Sequence, residues 1–263
     1  MTKTCRALLV LLALALLKSP VDALLANLLP DALVDPVPQW LAGAVVSVLL
    51  LGLPAWRLRP WTSPRLVRGV SLGKGIGLGG LAAAMCRFSF GVLHASWQRM
   101  LGAVSEMANA PEGLSAALWS VLALVVIPAV TEEAFFRGAL LTGLLDGSRR
   151  ITAILLTTLA FVLMHGNAAN LPSLLGVSLV LTLLMLHTGC IAVPIAAHLA
   201  YNLLAFVPAR LPLWGSVLAG VAVIALVVRM IYRQPKMACL PMKWLDRLIA
   251  GAALAVLALQ YFV

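Results

Sequence analysis

The chain has 263 residues, of which 62% are hydrophobic and 11% charged, where a soluble domain carries about 25% charged residues. That balance, with a mean hydropathy of +1.04, excludes a soluble globular domain, a disordered chain and a fibrous repeat. The net charge is +10, from 19 lysines and arginines against 9 acidic residues. No stretch interleaves basic and aromatic residues on a soluble face, so this excess is read as membrane topology and not as nucleic-acid binding.

The apolar residues come in blocks of spanning or near-spanning length, since a bilayer crossing needs about 20 helical residues. In chain order the blocks are 6–29, 39–56, 74–97, 114–145, 151–166, 171–187, 190–207, 212–231 and 245–263. The fold class is therefore all-α: a single polytopic helix bundle over 1–263, with eight to nine spans. Lys18-Ser19-Pro20 is expected to interrupt the first block. Met1–Leu17 has the charged start of a signal peptide, but no small-residue cleavage site follows, so it is read as a retained helix. Pro128 is expected to kink the long fourth block.

Cys5, Cys86, Cys190 and Cys239 form no CxxC pair and are read as small hydrophobes. Gly75-Ile-Gly77-Leu-Gly79-Gly80 satisfies G-x-G-x-x-G, but no strand precedes it. Its glycines are spaced instead for close helix packing.

Only Glu132 and Glu133 are acidic deep within an apolar block. A carboxylate there costs about 2.5–3.5 kcal/mol on insertion scales, which marks a functional position. Glu133 and Arg137 are four residues apart and can pair on one helix face. Glu132 points about 100° away and is left free to act as a base. If the fourth and fifth blocks form a hairpin about the turn at 146–150, Glu132 and His165 lie at equal depth, about 20 Å from that turn. Phe161, one turn before His165, is expected to wall the site. His198 and Asn202 share a helix face and offer two donors for a developing oxyanion. His94 and His187 fall near helix ends and are read as structural. Cys190 lies three residues from His187 at a tight turn, a poor arrangement for a thiol nucleophile.

Glu132-Glu133-x-x-x-Arg137, Phe161-x-x-x-His165 and His198-x-x-x-Asn202 together resemble the three motifs of the CAAX-protease and bacteriocin-processing family of intramembrane proteases. The resemblance covers about residues 110–210, which would form the catalytic core. It implies a helix bundle around a conical, water-accessible cavity and an endopeptidase acting on a membrane-embedded or membrane-tethered peptide. It further implies that Glu132 and His165 activate water, that His198 and Asn202 form the oxyanion hole, and that Glu133 and Arg137 support them. No cofactor is expected. The alternatives are a zinc-dependent protease using Glu132, His165 and His198, and a transporter or proton pathway using the same groups. No internal repeat supports the transporter.

Counting nine spans puts Lys3 and Arg6, the arginines of 57–68, Arg149 and Arg150, and the basic cluster of 229–247 on one side. By the positive-inside rule that side is the cytoplasm, and the compact loops suggest a bacterial inner membrane. Reporter fusions after Arg150 and after Asp35 should therefore give opposite signals. The same signal from both would break this topology.

Overall fold

The computed structural model describes residues 2–29, 37–58, 71–101, 113–207, 211–232 and 241–261. Asp31, Asp35, the loop arginines 59, 65 and 68, and Cys239 lie outside them, as do the side chains of 90–95, including His94.

The described residues are mostly helical, with no strand among them. We number nine helical runs: α1 (Lys3–Leu28), α2 (Val37–Arg57), α3 (Leu72–Met100), α4 (Leu114–Gly147), α5 (Arg150–Met164), α6 (Leu171–Thr188), α7 (Ala192–Leu203), α8 (Leu213–Tyr232) and α9 (Trp244–Leu259). Among the described residues, five of these regions are long and apolar enough to cross a bilayer: α1, α2, α4, α6 and α8. Large apolar side chains such as Leu218, Val221 and Ile224 stand exposed along α8, as expected where lipid replaces water around the bundle. The protein is an integral, all-α membrane protein.

One expectation changes. The first block is not interrupted: α1 runs through Pro20 as one 26-residue helix. Its Leu8, Leu11, Leu14 and Ala15 are buried, and it packs along α9 and α4. The ion pair between Lys18 and Asp22 brackets the proline from one turn to the next. Packing of this kind lets membrane helices tolerate a proline. Pro128 lies within α4, in the stretch Ile127–Glu133. The helix widens into π-helical turns at Val121–Val126, just before the proline, and again at Ala134–Leu141. A proline removes one backbone donor, and a π turn is one way a helix continues around such a gap.

α4 is the central element, in contact with α1, α2, α5, α6 and α7. Every residue from 133 to 145 is buried, the pattern of a helix surrounded on all sides. α5 and α7 are short. Their 15 and 12 residues span only about 22 and 18 Å at 1.5 Å per residue, with one 3-10 turn, Leu204–Phe206, continuing α7, so both are shorter than a full crossing.

The glycines of α3 have the packing role their spacing suggested, on one face only. A Cβ on Gly75 would stand 2.7 Å from Val193 Cγ2. One on Gly79 would stand 3.1 Å from Ala197 Cβ and 3.3 Å from the Val193 carbonyl oxygen. α3 thus lies directly against the turn of α7 that leads to His198. Gly73 and Gly77 meet nothing within 4 Å. Gly79→Val should therefore lower the thermal unfolding midpoint in detergent, by the equivalent of about 1–3 kcal/mol for overpacking, while Gly77→Val should leave it nearly unchanged. Equal midpoints would show that α3 and α7 have no need of close approach.

Candidate active site

The site grows from the two adjacent glutamates, which the α-helical stretch Ile127–Glu133 carries between the two π-helical segments of α4. Glu133 turns into the bundle and is fully buried, as is Arg137. Arg137 Nη1 donates to Glu133 Oε1 at 2.7 Å. Arg137 Nη2 donates to the Ser178 carbonyl at 3.0 Å and lies 2.9 Å from Ser178 Oγ. The guanidinium also lies 4.5 Å from the centre of the Phe161 ring, close enough for a cation–π contact. His198 Nδ1 completes the cluster with a 2.8 Å hydrogen bond to the same Glu133 Oε1. One carboxylate oxygen therefore joins α4 to α7, and its arginine joins α4 to α6.

Glu132 points the other way. It lines a cavity of about 260 Å³ with Phe136, Met164, His165, Ser47 and the Lys18–Asp22 pair. His165 Nε2 stands 3.9 Å from Glu132 Oε2, beyond the range of a direct hydrogen bond. Glu132 Oε2 makes no hydrogen bond of its own. Glu132 and His165 thus meet across the hairpin, as their equal depth predicts.

His165 sits where α5 ends, as its C-terminal cap. Gly166 follows in the left-handed region with φ at +61°, a conformation that favours glycine and stops the helix. His165 Nδ1 lies 2.8 Å from the Phe161 carbonyl one turn back. A carbonyl only accepts, so Nδ1 carries the proton, and in the neutral ring Nε2 presents a lone pair. With the imidazole neutral, the cavity presents two acceptors, Glu132 Oε2 and His165 Nε2, 3.9 Å apart.

His198 and Asn202 do not form part of that cavity wall. His198 is buried beside Glu133, 5.9 Å from the Phe161 ring centre, and Asn202 is half-buried one turn further along α7. Phe161 is 1% exposed and lies against His165 at 4.6 Å. It backs the histidine from behind, and the wall itself is Phe136. The glutamate that carries His198 is Glu133, not Glu132. His187 lies in the last turn of α6. Cys5, Cys86 and Cys190 are free thiols.

Sequence reasoning missed several participants. Ser178 is one small polar residue in an apolar helix and gave no signal. Lys18 and Asp22 were visible as charges in the first apolar block, but Lys18 was read as an interruption. Arg87, in α3, lies with its Nε 3.3 Å from the Leu204 carbonyl and its Nη2 3.5 Å from that of Ala205, where it complements the C-terminal end of α7. A lone arginine inside an apolar block was itself a signal.

Among the described residues, no group of three or more histidine, cysteine, aspartate or glutamate side chains is placed to hold a metal ion. Glu132, His165 and His198, the ligand set of the zinc alternative, do not converge, because His198 turns to Glu133.

No curated protein and no solved structure matches the chain. A family model does, over residues 114–204, which run from the start of α4 to the end of α7. The segment that carries all three motifs matches the Rce1-like family of type II CAAX prenyl endopeptidases, the CAAX-protease family that those motifs resemble.

Proposed function

We propose that the protein is an intramembrane endopeptidase of the glutamic type, in which Glu132 and His165 activate a water molecule for attack on a peptide bond. The observation that carries this reading is the 3.9 Å gap between Glu132 Oε2 and His165 Nε2 at the wall of a cavity. Two acceptors at that separation suit one water that donates a proton to each. A water held in this way has its own lone pairs turned to the cavity, where a scissile carbonyl would lie.

In this mechanism the water attacks the carbonyl carbon and gives its proton to Glu132, with His165 holding the second hydrogen. The C–N bond then breaks, and the proton passes from the Glu132–His165 pair to the leaving amine. We assign His198 and Asn202 to the oxyanion because they share one face of α7 and Glu133 fixes the His198 ring. Since Nδ1 donates to Glu133, His198 can donate from Nε2 only when the ring carries both protons. The role also requires α7 to present the pair to bound peptide, because neither lines the cavity wall. Glu133, Arg137 and Ser178 are positioning residues.

The substrate class is a membrane-embedded or membrane-tethered peptide, and the family description makes a prenylated CAAX-type peptide the first one to test. Residues 110–210 form the catalytic core of a single membrane domain in this reading, set in a bacterial inner membrane with the N-terminus in the cytoplasm.

Turnover of such a peptide at matched protein levels tests the assignments. Glu132→Gln and His165→Ala should each reduce cleavage by about 10²–10⁴-fold, the usual range for general acid–base loss. His198→Ala and Asn202→Ala should each cost about 10²-fold or more if they bind the oxyanion. Glu133→Ala leaves Arg137 buried and unpaired, at a cost of about 3–5 kcal/mol, and so should reduce protein yield as well as rate. Full activity in Glu132→Gln would sink the reading.

Dependence on metal is a separate test. Protein dialysed against a chelator should still cleave, and elemental analysis should find no stoichiometric metal. Activity lost on dialysis and restored by one equivalent of zinc would move the chemistry to a metal.

A further inference from the structure

The cavity that Glu132 and His165 line holds a second polar pair, Lys18 and Asp22, from α1. The water-activation mechanism has no use for either. Charges so far along a membrane helix are expensive unless they serve a function. Within the pair, the Asp22 side chain is 55% exposed and that of Lys18 only 21%, so the ammonium is the more enclosed member.

Two further features locate it. A Cβ on Gly166 would stand 3.4 Å from Lys18 Nζ, which puts the ammonium against the residue that follows His165. Lys18 and Asp22 also line a second cavity, together with Ser19, Gly166 and Gln260. Lys18 therefore stands where the two cavities adjoin, next to the candidate catalytic histidine. An ammonium has three donors, and Asp22 takes one. Asp22 itself shows which kind of group the site accepts, since its carboxylate is the partner already on Nζ.

We propose that Lys18 is a carboxylate-binding residue of this cavity and reads the free terminal carboxylate of a peptide whose scissile bond lies next to Glu132 and His165. The assignment rests on the hydrolytic reading for its geometry. With Nζ beside residue 166, which follows His165, the tail between the scissile carbonyl and the carboxylate is short. An acidic side chain near the end of the peptide offers the same chemistry, so the test must separate the two sources. Asp22 acts in this scheme as an internal competitor that holds Lys18 until a substrate carboxylate replaces it.

The test is equilibrium binding to the full-length Glu132→Gln protein in lipid nanodiscs, which does not depend on turnover. The probes are three peptides, each with a prenylated cysteine and three further residues: one with a free carboxyl terminus, one carboxamide, and one carboxamide with aspartate as its last residue. The free acid should bind at least about tenfold tighter than the plain amide, the size expected for one charge-assisted hydrogen bond. Adding Lys18→Gln should remove that difference, and Lys18→Arg should keep most of it. Asp22→Asn should tighten binding of the acid alone. Equal binding of acid and amide when Lys18 is intact, or no binding of either, overturns the proposal. So does a preference that survives Lys18→Gln. Tight binding of the aspartate amide alone assigns the site to a side chain and overturns the terminal-carboxylate assignment. Cleavage is measured separately with Glu132 restored: selective binding without cleavage would defeat the proposed function while leaving the carboxylate site standing.

Discussion

The buried ion pair between Glu133 and Arg137 is the constraint on which the site depends. Both groups are fully enclosed, and a charge in that setting is tolerated only when paired and hydrogen-bonded. The pair meets this condition by recruiting neighbours. Ser178 on α6 receives the second guanidinium nitrogen, Phe161 on α5 lies against its face, and His198 on α7 donates to the carboxylate. Four helices are thereby fixed to one another at one depth. The network also dictates what the preceding residue can do. Once Glu133 commits to the interior, Glu132 must project about 100° away around the helix. That direction leads to the cavity and His165. Two adjacent carboxylates acquire different settings from helix geometry alone: one is locked in the ion-pair network and the other lines the cavity.

A helix that stops inside a membrane bundle creates a second problem, because its last carbonyls have no helical partners and the bilayer offers no water to replace them. α5 solves it with groups that also build the site. His165 Nδ1 takes the Phe161 carbonyl, and the Tyr261 hydroxyl, just past α9, donates to that of Val162. The side chain that caps the helix is the one whose other nitrogen faces Glu132. The orientation of His165 is thus a by-product of satisfying the backbone, which gives it a single tautomer without a dedicated carboxylate partner. The C-terminal end of the chain is drawn in as well, since Gln260 donates to the Ala15 carbonyl on α1. α1, α5 and α9 meet at the depth of the site.

Much of this was legible because membrane proteins hide little in composition. The helical blocks could be read from apolar length, and the Glu133–Arg137 pairing from a spacing of four. The meeting of Glu132 with His165 followed from counting residues back to a shared turn. What failed had local physical causes. Pro20 looked like a break because its cost within a helix is visible in sequence, while the packing of Leu8, Leu11 and Leu14 against the bundle is not. The partner of His198 was invisible because it depends on the rotation of α7 about its own axis. That rotation is set by the close approach of α3 at Gly75 and Gly79. Phe161 was placed at the wall because it precedes His165 by one turn, but the wall belongs to Phe136, which the widened turns of α4 carry to the cavity side. Lys18 shows the opposite error: the residue was noticed, but its charge was read as a fault in the helix when it was a lining group.

The short helices complete the logic. α5 and α6 are joined by a connection of few residues, as are α6 and α7, so the three run alternately up and down. α5 and α7 then end toward the same face of the bundle, each well short of the ~30 Å that a full crossing requires. His165 lies at the end of one, and His198 and Asn202 in the last two turns of the other. The hydrolysis proposed for this site needs water at the scissile bond, and a longer α5 would fill that space with apolar side chains. Ending α5 at the depth of Glu132 leaves room for the polar cavity that Glu132 and His165 line. The length of α5 therefore bears on the proposed chemistry: it sets how far the cavity extends, and α4 and α5 each bring a polar residue to it, Glu132 and His165.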